Sequence, residues 1–201
     1  MKMTMIDRIL LLLTSLLAGY QVAVGINGLG TIPITAYTIA FGVLLVASLL
    51  IILLGFEVLD SPIVVIVSTV IPLSLAAGLV WEHLDASRTS YLLFALIGFA
   101  AVIVTRSLSV QKKIQTLVLA VVHGIAGMTI FLLPSVLAAN GTMQPSFALV
   151  SLGGALIGIG GLLLSFLKAG KPIVTRETIL RVLPSLLLMM TAAFVAGFRY
   201  G

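Results

Sequence analysis

ITAYTIAFGVLLVASLLIILLGF, residues 34–56, runs for 23 residues without a charged side chain. A surface helix of a water-soluble domain shows a polar stripe on the face away from its core. Here only Thr35, Tyr37, Thr38 and Ser48 interrupt the apolar run, and they form no such stripe. At 1.5 Å per residue the stretch reaches about 34 Å, enough to cross a hydrocarbon layer of about 30 Å. It reads as a transmembrane helix.

Six further segments of the same kind flank it: 9–26, 63–82, 91–106, 116–138, 147–167 and 179–198. The 91–106 segment is the shortest, and the last carries Arg181 near its start, where a guanidinium can snorkel to the interface. The connectors are short and hold most of the charges. Across 201 residues the composition is 61% apolar and 8% charged, against about 25% charged in soluble domains. So few charges cannot coat a water-facing surface. The expected fold is therefore all-α: a polytopic transmembrane bundle of about seven helices, forming a single integral membrane domain over 1–201.

The net charge of +5 does not point to nucleic acid, because the basic residues sit in turns between apolar runs. With the N-terminus inside, Lys2, Arg8, Arg106, Lys112, Lys113, Lys168, Lys171, Arg176 and Arg181 fall on the inner side. Only Arg88 and Arg199 fall outside. Positive flanks resist translocation, so the split predicts a cell-membrane protein with a cytoplasmic N-terminus and an external C-terminus. A competing reading takes Lys2 to Gly25 as a signal peptide with a small-x-small site at Ala23-Val24-Gly25. The apolar run continues beyond a usual h-region, which favours a span. The chain has no cysteine, so disulfides and thiolate metal sites are excluded.

Punctuation along the chain recurs at a spacing near 112 residues. Asn27-Gly28 pairs with Asn140-Gly141, Pro33 with Pro145, Pro62-Ile63-Val64 with Pro172-Ile173-Val174, and Pro72 with Pro184; Gly42 and Gly153 add a fifth pair. Turns recurring at bilayer-thickness intervals account for part of this. The order and spacing predict two three-helix units, about 1–84 and 115–201, joined by a linker helix at 91–106. One inserted helix leaves both units starting on the same side, which makes them parallel repeats. This layout is similar to that of the SWEET and PQ-loop sugar carriers. The chain has no Pro-Gln pair and its expected orientation is opposite, so no functional residue follows from the likeness. A retinal protein is excluded by the absence of lysine from 179–198.

Helices in lipid associate through small residues that let backbones approach. Ser15, Gly19 and Ala23 share one face of the first span, and the sixth carries Gly154-x-x-x-Gly158. Ser74 with Gly78, and Ala193 with Gly197, do the same in the third and seventh. Gly19, Gly154 and Gly158 are expected at helix contacts. Pro72, Pro134 and Pro184 interrupt helices, and the first and last fit a paired kink beside a central cavity.

Buried charge usually marks function in membranes, yet no Asp, Glu, Lys or Arg lies at the middle of a span. That argues against a proton relay built on carboxylates. The uncharged candidates for binding a substrate are His123, Gln21, Tyr37 and Thr69, with Tyr20, Thr38, Ser68 and Thr129 behind them. His123 also suits a plain interhelical hydrogen bond. His83 lies at the opposite depth, so the two do not make a haem site. Trp81-Glu82-His83-Leu84-Asp85 reads as an interfacial anchor and polar turn, with a cation site as the sharper alternative. The turn from Lys168 to Arg181 has four basic residues and suits anionic headgroups or an acidic partner.

No catalytic constellation, metal site or cofactor site is visible. The leading expectation is a small-solute permease or channel-like carrier for an uncharged or weakly polar substrate. A non-catalytic accessory or assembly subunit is the alternative, and an intramembrane enzyme acting on lipid comes third. Expected partners are membrane lipids, with further copies of the chain or a larger membrane complex in the second case.

Overall fold

A computed structural model describes residues 3–26, 28–108, 110–168 and 173–201, the side chains of 165, 166 and 168 excepted. Lys2, Asn27, Lys171, Pro172 and the side chain of Lys168, used above, lie outside this set. Seven α-helices are long and apolar enough to cross a membrane, and no strand occurs among the described residues. They are α1 Met5–Val24, α2 Thr31–Leu54, α3 Pro62–His83, α4 Arg88–Ser107, α5 Lys112–Ala139, α6 Ala148–Lys168 and α7 Arg176–Tyr200. Such a set is compatible with a multi-pass membrane protein.

Most helices overrun the apolar segments read from the sequence, because hydropathy sees the apolar stretch and capping extends the helix beyond it. At α1 the Thr4 hydroxyl accepts from the Asp7 amide and the Asp7 carboxylate accepts from the Thr4 amide, a reciprocal cap that starts the helix at Met5. The fourth segment, shortest by hydropathy, becomes a 20-residue helix, as long as α1. A short 3₁₀ turn, Pro145–Phe147, leads into α6, so that helix begins at Ala148 instead of residue 147.

The outward surface is apolar. Ile97 is 67% exposed and Leu117 62%, with many similar side chains around the bundle. Water would penalise that much exposed hydrocarbon, whereas lipid does not.

Helix neighbours follow a closed order. α1 packs on α2, α2 on α3, α3 on α5, α5 on α6, α6 on α7, and α7 back on α1; α4 leans on α3 and α5 from outside. Contacts at the two ends fix relative directions. Asp60, just before α3, pairs with Arg176 at the start of α7. At the other end His83 of α3 stacks edge-on with Phe147, and Arg199 of α7 donates to the hydroxyl of Tyr20 on α1. Odd-numbered helices α1, α3 and α7 thus run the same way. The end holding Arg8, Arg106, Lys112, Lys113, Arg176 and Arg181 is called the basic end below.

Two cores fill the bundle. The larger gathers Phe41, Leu75, Leu79, Ile130, Met190 and Phe194 from four helices. The smaller lies toward the basic end and joins Leu11, Ile51, Leu180 and Leu183 with Phe56. Phe56 opens a second 3₁₀ turn, Phe56–Asp60, entered from Gly55 at φ +76°. That left-handed corner, costly for any residue with a β-carbon, turns the chain after α2 back beneath the bundle.

Candidate functional site

None of the four residues expected to bind a substrate hydrogen-bonds another among the described residues. The Gln21 side chain donates to the Gly25 carbonyl at 2.9 Å, closing the end of α1. Thr69 is fully buried, and its hydroxyl donates to the Val65 carbonyl one turn back at 2.7 Å. The Tyr37 ring, 4% exposed, packs on Phe198 with centroids 4.6 Å apart. His123 is half-buried on α5, and its Nδ1 is buried without a hydrogen-bond partner among the described residues.

The expected packing glycines divide. A β-carbon at Gly154 would meet the Ile130 carbonyl carbon at 3.0 Å and the Phe131 nitrogen at 3.1 Å, so α5 and α6 touch backbone to backbone there. Gly19 has ordinary contact with Leu45 of α2 at 3.8 Å. Gly158 faces open space, which corrects the expectation that it marks a contact. α5 has diverged from α6 one turn beyond Gly154, so the spacing of the motif exceeds the length of the contact. Gly153 and Gly197 do more than the motif suggested: they admit Phe194 and Val150 and bring α6 against α7.

Polar groups inside the bundle are mostly satisfied by their own helix. Thr14, Thr69 and Thr191, all fully buried, donate to Leu10, Val65 and Leu187 carbonyls. Ser15 and Ser48 form a bond between helices, their oxygens 2.8 Å apart across α1 and α2. Ser151 on α6 is buried, with its hydroxyl unpartnered. A lone serine in an apolar run gives no sequence signal of that kind.

Both ends of the bundle are closed by side chains. At the basic end Phe56 inserts among Leu11, Ile51, Leu180 and Leu183, and Asp60 and Arg176 pair at 2.6 Å beside it. A cavity of about 120 Å³ lies there, lined by Leu59, Asp60, Leu164, Leu167, Arg176 and Leu180. At the opposite end Tyr37, Phe41, Phe147 and Phe194 surround Phe198. The sequence hid the first closure, because Phe56 reads as the last residue of the apolar run 34–56. Pro72, Pro134 and Pro184 are all buried within their helices.

A second, open groove of about 520 Å³ runs along the outer face of α5, past Gly124, Met128, Thr129 and Leu132 to Leu84. In the turn after α3, Arg88 sits 5.7 Å over the Trp81 ring and pairs with Asp85 at 2.8 Å. No cluster of three metal-ligating side chains occurs among the described residues. Comparison with known proteins finds no family model, no curated protein and no solved structure that matches this chain.

Proposed function

We propose that the chain is an integral membrane permease or channel-like carrier for a small uncharged or weakly polar solute. The observation that carries this reading is the order of neighbours around the bundle. α1–α2–α3 and α5–α6–α7 pack in the same sequence, and the two units meet twice, α3 against α5 and α7 against α1. Two copies of a three-helix unit related by an axis along the bundle would meet in this way, with α4 as the linker outside. Gly28 and Gly141, at matching places in the 112-residue spacing, both take left-handed backbone, φ +83° and +76°. Pro72 and Pro184, another such pair, are both buried. Carriers built from repeats place their substrate site at the interface between the units.

The closures suit such a protein in an occluded state. One is a single buried phenylalanine beside an exposed ion pair, and the pair itself is worth about 0–1 kcal/mol. Seven of the nine buried polar or charged side chains among the described residues are hydroxyls, Asp7 and Gln21 near the ends of α1 being the others, which favours a neutral solute over an ion. Shrinkage of liposomes bearing the purified chain, followed by light scattering in glycerol, urea and small polyols, tests the reading. At least one solute should cross faster than in protein-free liposomes, and His123→Ala should slow it more than Glu82→Gln. Solute fluxes indistinguishable from empty liposomes would sink the proposal.

The α5 groove favours a second reading, an accessory subunit of a larger membrane complex. Gly124 and Gly127 have open space above them, where another helix could approach closely. Co-purification of a stoichiometric second chain in mild detergent would support it over the carrier.

A further inference from the structure

The two basic turns at the basic end differ in whether their described arginines already have carboxylate partners. Arg176 pairs with Asp60 at 2.6 Å, and Arg181 pairs with Glu177 at 3.0 Å. The turn from α4 to α5 is the opposite case. Arg106, Lys112 and Lys113 have no ion pair among the described residues, and no acidic residue lies between Arg88 and Glu177 in the sequence. Lys112 and Lys113 are exposed. Arg106, on the last turn of α4, has its Nε buried with no acceptor.

Arg106 as a whole is partly exposed and, like Lys112 and Lys113, has no carboxylate partner among the described residues, so the counter-charge for these three cations is to be sought outside the chain. Three cations within eight residues, beside an apolar helix surface at the level where helices leave the hydrocarbon, match the depth and charge of a phospholipid phosphate. Arginine suits that ligand because its planar fork can present two donors to one phosphate. We infer that Arg106, Lys112 and Lys113 form a binding site for the headgroup of an anionic phospholipid. The two described arginines of the basic turn before α7, Arg176 and Arg181, already have carboxylate partners. The inference rests on membrane insertion and is independent of solute transport.

The test uses the full chain in detergent micelles doped with phosphatidylglycerol or phosphatidylcholine, with retained lipid counted by native mass spectrometry. The wild type should retain phosphatidylglycerol preferentially. Arg106→Gln should lower that preference about fivefold, the equivalent of the ~1 kcal/mol that one basic group contributes near an anionic surface. Lys112→Gln with Lys113→Gln, at exposed positions that leave folding intact, should lower it further still. Arg181→Gln should leave it unchanged. Equal retention of the two lipids would overturn the proposal, and so would an equal loss in Arg181→Gln. Displacement of the lipid by millimolar inorganic phosphate would reassign the site to free anions and overturn the lipid assignment. If Arg106→Gln does not fold, the double lysine variant decides alone.

Discussion

A β-carbon on Gly78 would stand 2.6 Å from the Tyr37 ring, which places α2 and α3 in contact through a glycine and the flat of an aromatic. Phe198 also packs on this ring, with centroids 4.6 Å apart, so it has little room to swing away. Gly78→Ala should therefore destabilise the protein by about 1–3 kcal/mol, the usual cost of overpacking a dense core. Combining it with Tyr37→Ala should recover part of that loss, read from thermal unfolding in detergent. Additive losses would show that the two residues do not press on each other.

The glycines of α6 and α7 should rank by what lies over them. An added methyl at Gly197 would meet the Val150 nitrogen at 2.7 Å and at Gly154 the Ile130 carbonyl carbon at 3.0 Å; backbone cannot rotate away. Alanine at either position should cost about 1–3 kcal/mol. Gly158→Ala meets open space and should be neutral or slightly stabilising, since alanine is the better helix former. Equal melting shifts at positions 154 and 158 would contradict the packing described.

Ser15 and Ser48 share one hydrogen bond while each hydroxyl also lies within reach of its own helix, at the Leu11 and Leu44 carbonyls. With one proton each, the pair cannot make all of these bonds at once. A double-mutant cycle of Ser15→Ala and Ser48→Ala should give a coupling of about 0.6 kcal/mol, typical of hydrogen bonds between membrane helices. Zero coupling would mean that each hydroxyl is satisfied within its own helix.

Removing the Asp60–Arg176 pair should barely change stability but should loosen the closure beside Phe56. Both side chains are more than half exposed, so Asp60→Asn should shift unfolding by about 1 kcal/mol or less. A cysteine placed at Leu59 should react faster with a water-soluble maleimide in the Asp60→Asn background, and the wild type should move the same way in high salt. An unchanged labelling rate would show that the pair does not restrain the turn.

Gly28 and Gly141 should behave alike. Alanine at either forces a side chain into left-handed backbone, at about 1–2 kcal/mol. Similar losses in both variants would agree with equivalent turns in two units; a loss in only one would count against the duplication.

Much of the architecture was legible from the residues one at a time. Lipid rewards any long apolar run in the same way, so stretches such as 34–56 disclose helices without knowledge of their neighbours. The charges that avoid those runs disclose where the turns fall. Gly154 and Gly158 show where such reading stops: both sit in one motif, yet only Gly154 touches another backbone, because two crossing helices diverge within a turn or so.

The sequence by itself determined that the chain makes about seven apolar helices with short connectors, the basic ones gathered on one side, since composition and helix length depend only on the local chain. The tertiary structure decided which helices are neighbours, that Phe56 closes the basic end, and which arginines already have carboxylates. Asp60 and Arg176 are 116 positions apart, and Arg106 lacks what they have. Lysines and arginines look alike in a charge count, and only proximity in space separates an answered charge from one still awaiting a partner.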